Sequence, residues 1–256
     1  MPAEALDETF LLTLSGNYDS DDSWKAVCEL QKLGSRNVFD RAVAWCGSQE
    51  PLKRARGADI LARIGNSAEH PHNRFPGESF AVISRMARYE TESLPLASAI
   101  HAMGYLENAQ AIDIMIEHRF HRDAKVRLAL ATALGHFANN SLATPVLIQL
   151  AHDPDGVVRD WATFAIGECS DLDTPDVREA LFRNLGDPFE DARQEAIAGL
   201  AKRKDSRVFP ALIDSLREPD VPEIIIDAAS TMLGQENVGN WYPSDFITAL
   251  QEKFGP

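Results

Sequence analysis

The chain has 256 residues, of which 45% are hydrophobic, and carries 39 acidic against 25 basic side chains for a net charge of −14. That composition can bury a core and excludes a disordered polymer, while a pI near 4.9 argues against a broad nucleic-acid or anionic-membrane surface, since both need clustered Lys and Arg. No apolar run approaches the ~20 residues that span a bilayer, Met1–Thr9 has no secretion-signal pattern, and Cys28, Cys46 and Cys169 are too scattered for a disulfide framework, so a cytoplasmic location is expected.

Helical periodicity runs the length of the chain. Taken in order, the predicted helices cover Trp24–Gly34, Val38–Trp45, Lys53–Ala62, Phe80–Met86, the run that closes at Gly104, Ile112–Ile116, the run after Asp123 to Gly135, and Leu142–Leu150. The run after Asp153 to Gly167 follows, then Val177–Leu185, the run after Asp187 to Ala201, Val208–Leu216, the run to Gly234, and Pro243–Phe254. Pro145 and Pro175 fall in first turns, where a missing N–H costs nothing. Asp153 and Asp187, each followed by Pro, are expected to cap the next helix with Pro in its first position. Residues 66–77 read as an inserted polar, Pro-rich surface loop.

The helices come in pairs, and the second of each pair repeats. Arg54, Arg127, Arg159 and Arg193 stand eight residues before a closing Gly or Ala, and Ala26, Leu96 and Ile226 fill the same column. The intervals are 28, 42, 31, 32, 34 and 33 residues; the long one contains the 66–77 loop. Alternation at period two is absent. One such pair cannot bury its apolar face alone, so the units must stack. The expectation is an all-α superhelix over 1–256, of about seven helix pairs with a closing helix.

The pattern Val-Arg-x-x-Ala-x-x-Ala-Leu-Gly, which Val126–Gly135 follows except at Leu130, followed by a Pro-x-Leu-x-x-Leu helix, resembles the HEAT repeat, especially the HEAT-like repeats of phycobilisome lyases. The resemblance implies that the second helix of each pair lines a concave side. It also implies that the column arginines pair with Asp123, Asp153 and Asp187 in a ladder that sets repeat stacking, so they are not nominated as a binding site.

Positions six and three before the closing residue, and one after it, point away from the core on a shared face. They are Cys28, Gln31 and Ser35; Arg56, Asp59 and Arg63; Ser98, His101 and Tyr105; Ala129, Thr132 and His136; Trp161, Phe164 and Glu168; Glu195, Ala198 and Lys202; Ala228, Thr231 and Gln235. The centre is aromatic and the flanks are polar, the anatomy of an interaction surface. The candidate partner-binding groove is Arg56, Asp59, Arg63, His101, Tyr105, Thr132, His136, Trp161, Phe164, Glu168 and Glu195. Charge is graded: residues 51–106 hold seven basic and five acidic side chains, residues 171–256 nine and seventeen.

Catalytic spacing is weak. No Cys-x-x-Cys, phosphate loop or Gly-x-Ser-x-Gly occurs, and the His-Glu pairs of HEAT-like di-iron hydroxylases are absent. His70 and His72, or His118 and His121, are poor metal pairs, and His101, His136 and Glu168 are a weak acid–base set. The expectation is therefore a non-enzymatic scaffold without cofactor or metal, holding a protein partner in its groove. The alternative is a bilin-lyase-like subunit that takes a small planar ligand on Tyr105, His136 and Trp161.

Overall fold

The computed structural model describes residues 3–234 and 241–254. Among them are fifteen α-helices and no strand. Contacts divide the chain into two compact units, 1–137 and 138–256. Gln235 lies outside the described residues.

Unit 1 holds α1 (Ala3–Leu12), α2 (Asp21–Leu33), α3 (Arg36–Cys46), α4 (Pro51–Ala62), α5 (Pro76–Tyr89), α6 (Ser93–Leu106), α7 (Ala111–Ile116) and α8 (Ala124–Gly135). These are four consecutive pairs. The second helices α2, α4, α6 and α8 pack side by side, and the first helices α3, α5 and α7 do the same. Alanines and aliphatic side chains such as Ala58, Ile60, Ala99, Ile100, Leu130 and Leu134 fill the space between rows and are fully buried.

Unit 2 holds α9 (Ala143–Leu150), α10 (Gly156–Phe164), α11 (Pro175–Asn184), α12 (Glu190–Lys202), α13 (Phe209–Leu216), α14 (Glu223–Leu233) and α15 (Pro243–Phe254). A π-helical turn, Ala165–Cys169, prolongs α10, and a 3₁₀ turn, Ser206–Val208, leads into α13. Here α10, α12 and α14 form the second-helix row, and α15 closes the stack against α13 and α14. The seven pairs and the closing helix match the sequence period.

The closing glycine has a packing reason. A Cβ on Gly104 would stand 2.8 Å from Ala133 Cα, and one on Gly199 would stand 2.8 Å from Gly167 Cα. Neighbouring second helices cross at backbone contact there, which only small residues permit.

Two local expectations need correction. Asp153 and Asp187 do not cap helices. Each turns its carboxylate to the amide two residues on, Asp155 at 2.9 Å and Phe189 at 2.8 Å. Helix α10 therefore starts later, capped by Asp155 on the amides of Val157 and Val158. The 66–77 loop also ends early, because Pro76 is the first residue of α5. Asn73 ties its end down by donating to the carbonyls of Leu61 and Ala62, 2.6 and 3.3 Å away, while His70 and His72 stay exposed.

The arginine column behaves as a ladder. Arg159 donates two bonds to Asp187, 2.6 and 2.7 Å, and a third to the Asp153 carbonyl. Arg54 does the same with Glu90 and the Ser48 carbonyl. Arg127 and Arg193 hold the carbonyls of His121 and Asp187 in the turn before their own helices. Each arginine thus staples its own loop, and Arg54 and Arg159 also staple a carboxylate of the next repeat.

Candidate functional site

In unit 1 the shared face of the second helices is not a flat rim. Arg56 is fully buried, which corrects its placement at the groove surface. The turn between α1 and α2 and the first turn of α2 supply its acceptors: the Thr13 carbonyl at 2.9 Å, the Tyr18 carbonyl at 2.5 Å and Ser23 Oγ at 2.8 Å. Its guanidinium lies 4.2 Å from the centre of the Tyr18 ring and 4.8 Å from that of Trp24. A buried charge needs such partners.

Asp59, one helical turn on, completes the set. Arg56 reaches it at 3.3 Å and the Tyr18 hydroxyl donates to it at 3.0 Å; Ser98 Oγ is 2.9 Å from that hydroxyl. Burial pushes the Asp59 carboxyl up to about 6 against the pull of Arg56, and burial together with Asp59 pushes the Tyr18 phenol up.

Above this network opens a cavity of about 560 Å³. Asp59, Arg63, His101 and Tyr105 line it, together with Cys28, Gln31 and Ser98 of the same predicted face. Thr132 sits behind His101, 3.0 Å from its Nδ1. Burial and the neighbouring His136 hold His101 down to about 4, so it is neutral at physiological pH. Tyr105 and His136 meet edge to face at 5.3 Å, and Arg63 lies 5.2 Å from the Tyr105 ring centre. Tyr18, which also lines the cavity, carried no repeat signal because it sits in the irregular α1–α2 turn, and Trp24 opened the predicted helix Trp24–Gly34 but lay outside the positions assigned to the shared face.

In unit 2, Trp161 is 42% exposed on α10 and meets the half-buried Phe164 edge to face at 5.9 Å. A second cavity, of about 950 Å³, is lined by Phe164, Glu168, Glu195, Lys202, Asp227 and Thr231, among others. Its lining carries Glu168, Glu195, Glu223 and Asp227 against Lys202 and Lys204. Burial, then the nearby Asp160, Glu168 and Asp191, push Glu195 up to about 7, and burial with Asp191 pushes Asp160 up to about 6. Lys202 donates to the Glu168 carbonyl at 2.6 Å.

Of the candidate residues, Asp59, Arg63, His101 and Tyr105 share the first cavity, with Thr132 and His136 behind two of them. Phe164, Glu168 and Glu195 share the second cavity, beside Trp161. The sequence pattern missed Arg203, which is buried and donates to five carbonyls, those of Ile166, Gly167, Ser170, Leu172 and Gly199. It seals the end of the π-helical turn. The imidazole of His121 is also used structurally, accepting from the Asp123 amide at 3.1 Å. Among the described residues no group of three His, Cys, Asp or Glu side chains is placed to hold a metal ion, and no helix is long and apolar enough to cross a membrane.

The sequence model for HEAT repeats matches residues 86–167 and 144–232. The chain belongs to the HEAT-repeat family. Protein YibA of Escherichia coli K12 is 29% identical over 233 residues, covering 89% of this chain and 81% of that protein. The X-ray structure of YibA superposes with a TM-score of 0.73 over 97% of this HEAT-repeat chain and 91% of its own. The complex of CpcE and CpcF of phycocyanin lyase from Nostoc sp. PCC7120 shares the fold, with a TM-score of 0.50 at 15% identity over 99% and 98% of the two chains.

Proposed function

We propose that this HEAT-repeat protein is a non-catalytic scaffold that holds a protein partner on the exposed face of its second helices. The observation that carries the reading is Trp161. A large aromatic side chain stands 42% exposed on a second helix, braced by Phe164, although the fold has an apolar core that could take it. Exposed aromatic anchors on a rigid helix bury much area at little entropic cost, each contributing roughly 2–4 kcal/mol to an interface. The surrounding Asp160, Glu168, Asp191 and Glu195 suit a partner segment that carries Lys or Arg, whose cation also favours an indole face. The three cysteines are free, which supports a reducing compartment such as the cytoplasm.

The test is affinity capture from the native cell with wild type and the Trp161→Ala/Phe164→Ala variant, each checked for an intact thermal transition. The reading expects a defined protein retained by wild type and lost by the variant. Equal retention by both, with the variant folded, would remove Trp161 from the interface.

A further inference from the structure

The cavity of unit 1 is a different kind of site from an exposed helix face. It is concave, of a size that suits a small organic molecule, and walled by Trp24, Leu94, Ala97, Ala102, Tyr105 and Leu128. Polar atoms gather at its base: Gln31, Ser98, Asp59 and His101 all line it. The base is nearly saturated internally. Asp59 is engaged by Arg56 and Tyr18, Gln31 Nε2 donates to the Asp59 carbonyl at 2.8 Å, and His101 is held by Thr132. It offers a fixed polar end without a spare charge.

The mouth is different. Arg63 and Lys125 line it and are exposed, and neither has a carboxylate within 4.0 Å among the described residues. Asp19 is the acidic residue at the same mouth. Arg63 and Lys125 bring two cations to the opening against the lining carboxylate Asp19, and Asp123, which already accepts from the Lys125 amide, lies near Lys125, in a protein whose total charge is −14. An aromatic-walled apolar cleft with a cationic mouth selects for a flat apolar body bearing an anionic group.

We propose that this cavity binds a one- or two-ring aromatic carboxylate, with its ring against the Trp24 and Tyr105 walls and its carboxylate at Arg63 and Lys125. The perturbed groups beneath it fit this placement. Asp59, Tyr18 and His101 all depart from their ordinary values in the direction burial dictates, as groups lining a dry site do. The proposal is independent of the protein-binding reading, because Trp161 belongs to unit 2 and takes no part in it.

The cysteines supply a local readout. Cys28 lines this cavity and is exposed, Cys169 is exposed in unit 2, and Cys46 is half-buried, its thiol pushed up to about 12 by burial and Asp59. Calorimetry of the full chain with 2-naphthoate, 2-naphthamide and 2-naphthylmethylammonium should rank the carboxylate at least tenfold tighter than the amide, with the ammonium weakest. Saturating 2-naphthoate should slow iodoacetamide alkylation of Cys28 severalfold and leave Cys169 unchanged. Lys125→Ala, an exposed change, should weaken 2-naphthoate severalfold without moving the amide, and Ala97→Leu should weaken both. Absence of saturable 2-naphthoate binding, equal affinity for the three probes, or equal protection of Cys28 and Cys169 would overturn the proposal. None of these results bears on capture of a protein by Trp161.

Discussion

Arg159 on α10 grips the carboxylate of Asp187 with two hydrogen bonds of 2.6 and 2.7 Å, and Asp187 lies in the loop before α12, the second helix of the repeat that follows. The contact joins one repeat to the next across a sequence distance of 28 residues. Burial raises the Asp187 carboxyl, yet the Arg159 guanidinium and the Phe189 amide hold it below the usual range. A carboxyl lowered by folding contributes stability above its ordinary value near 4, and loses it as pH falls through the lowered value. Asp187→Asn should therefore cost about 2–3 kcal/mol at pH 7, between an exposed pair and a buried one. It should cost little at pH 2. Urea titrations at the two pH values measure the difference.

Opposite behaviour is expected on the second-helix face of unit 2. Glu195 is raised to about 7 and Asp160 to about 6, by burial and then by carboxylates that face them: Asp191 for Asp160, and Asp160, Glu168 and Asp191 for Glu195. Lys202 is the neighbouring cation, and it is already engaged by the Glu168 carbonyl. Folding favours the protonated forms, so their contribution is present below the ordinary carboxylate range and declines as pH climbs from about 4 to about 7. Relative to wild type, Glu195→Gln should gain thermal stability as pH rises from 5 to 8. A variant whose melting temperature follows the same pH dependence as wild type would show that the repulsion lies elsewhere.

The arginine column and the pairing of helices were readable because each recurs, and recurrence needs no knowledge of neighbours. Arg56 shows where that reasoning stops. Its column is equivalent to that of Trp161, and helix geometry alone sends both outward. The difference is the segment from Thr13 to Trp24, which lies over Arg56 and has no counterpart in the repeat. Arg203 was unreadable for a second reason. Its acceptors are all backbone carbonyls around a π-helical turn, and the side-chain pattern of Trp161–Gly167 does not distinguish a π turn from an α turn. Glu90 escaped notice as the partner of Arg54 because the long interval before Leu96 obscured the start of that repeat.

The cover over Arg56 sets a stability prediction. Removing the guanidinium would leave the Thr13 and Tyr18 carbonyls and Ser23 Oγ without their donor and Asp59 without its cation. Breaking a buried pair from one side costs about 3–5 kcal/mol. Arg56→Ala should lower the unfolding free energy by that amount, whereas Trp161→Ala, at a partly exposed position, should lower it by clearly less, about 1–2 kcal/mol. The contrast between the two variants, measured by chemical denaturation of the full chain, separates a structural residue from a surface residue within one predicted face.

The last expectation concerns the crossing of α10 and α12. A methyl group on Gly199 would stand 2.8 Å from Gly167 Cα and 3.0 Å from Leu181 Cδ2. The first obstacle is backbone and cannot rotate away, so the two helices must separate. Overpacking of that kind costs about 1–3 kcal/mol, and it outweighs the ~1 kcal/mol by which Ala is the better helix former. Gly199→Ala should therefore destabilise the protein despite improving helix propensity. Gly77→Ala is the control: nothing lies within 4 Å of its added Cβ in the first turn of α5. That substitution should be neutral or stabilising by a few tenths of a kcal/mol. If Gly199→Ala melted at or above the wild-type temperature, the close approach of the second helices would not be what the small residues of the repeat secure.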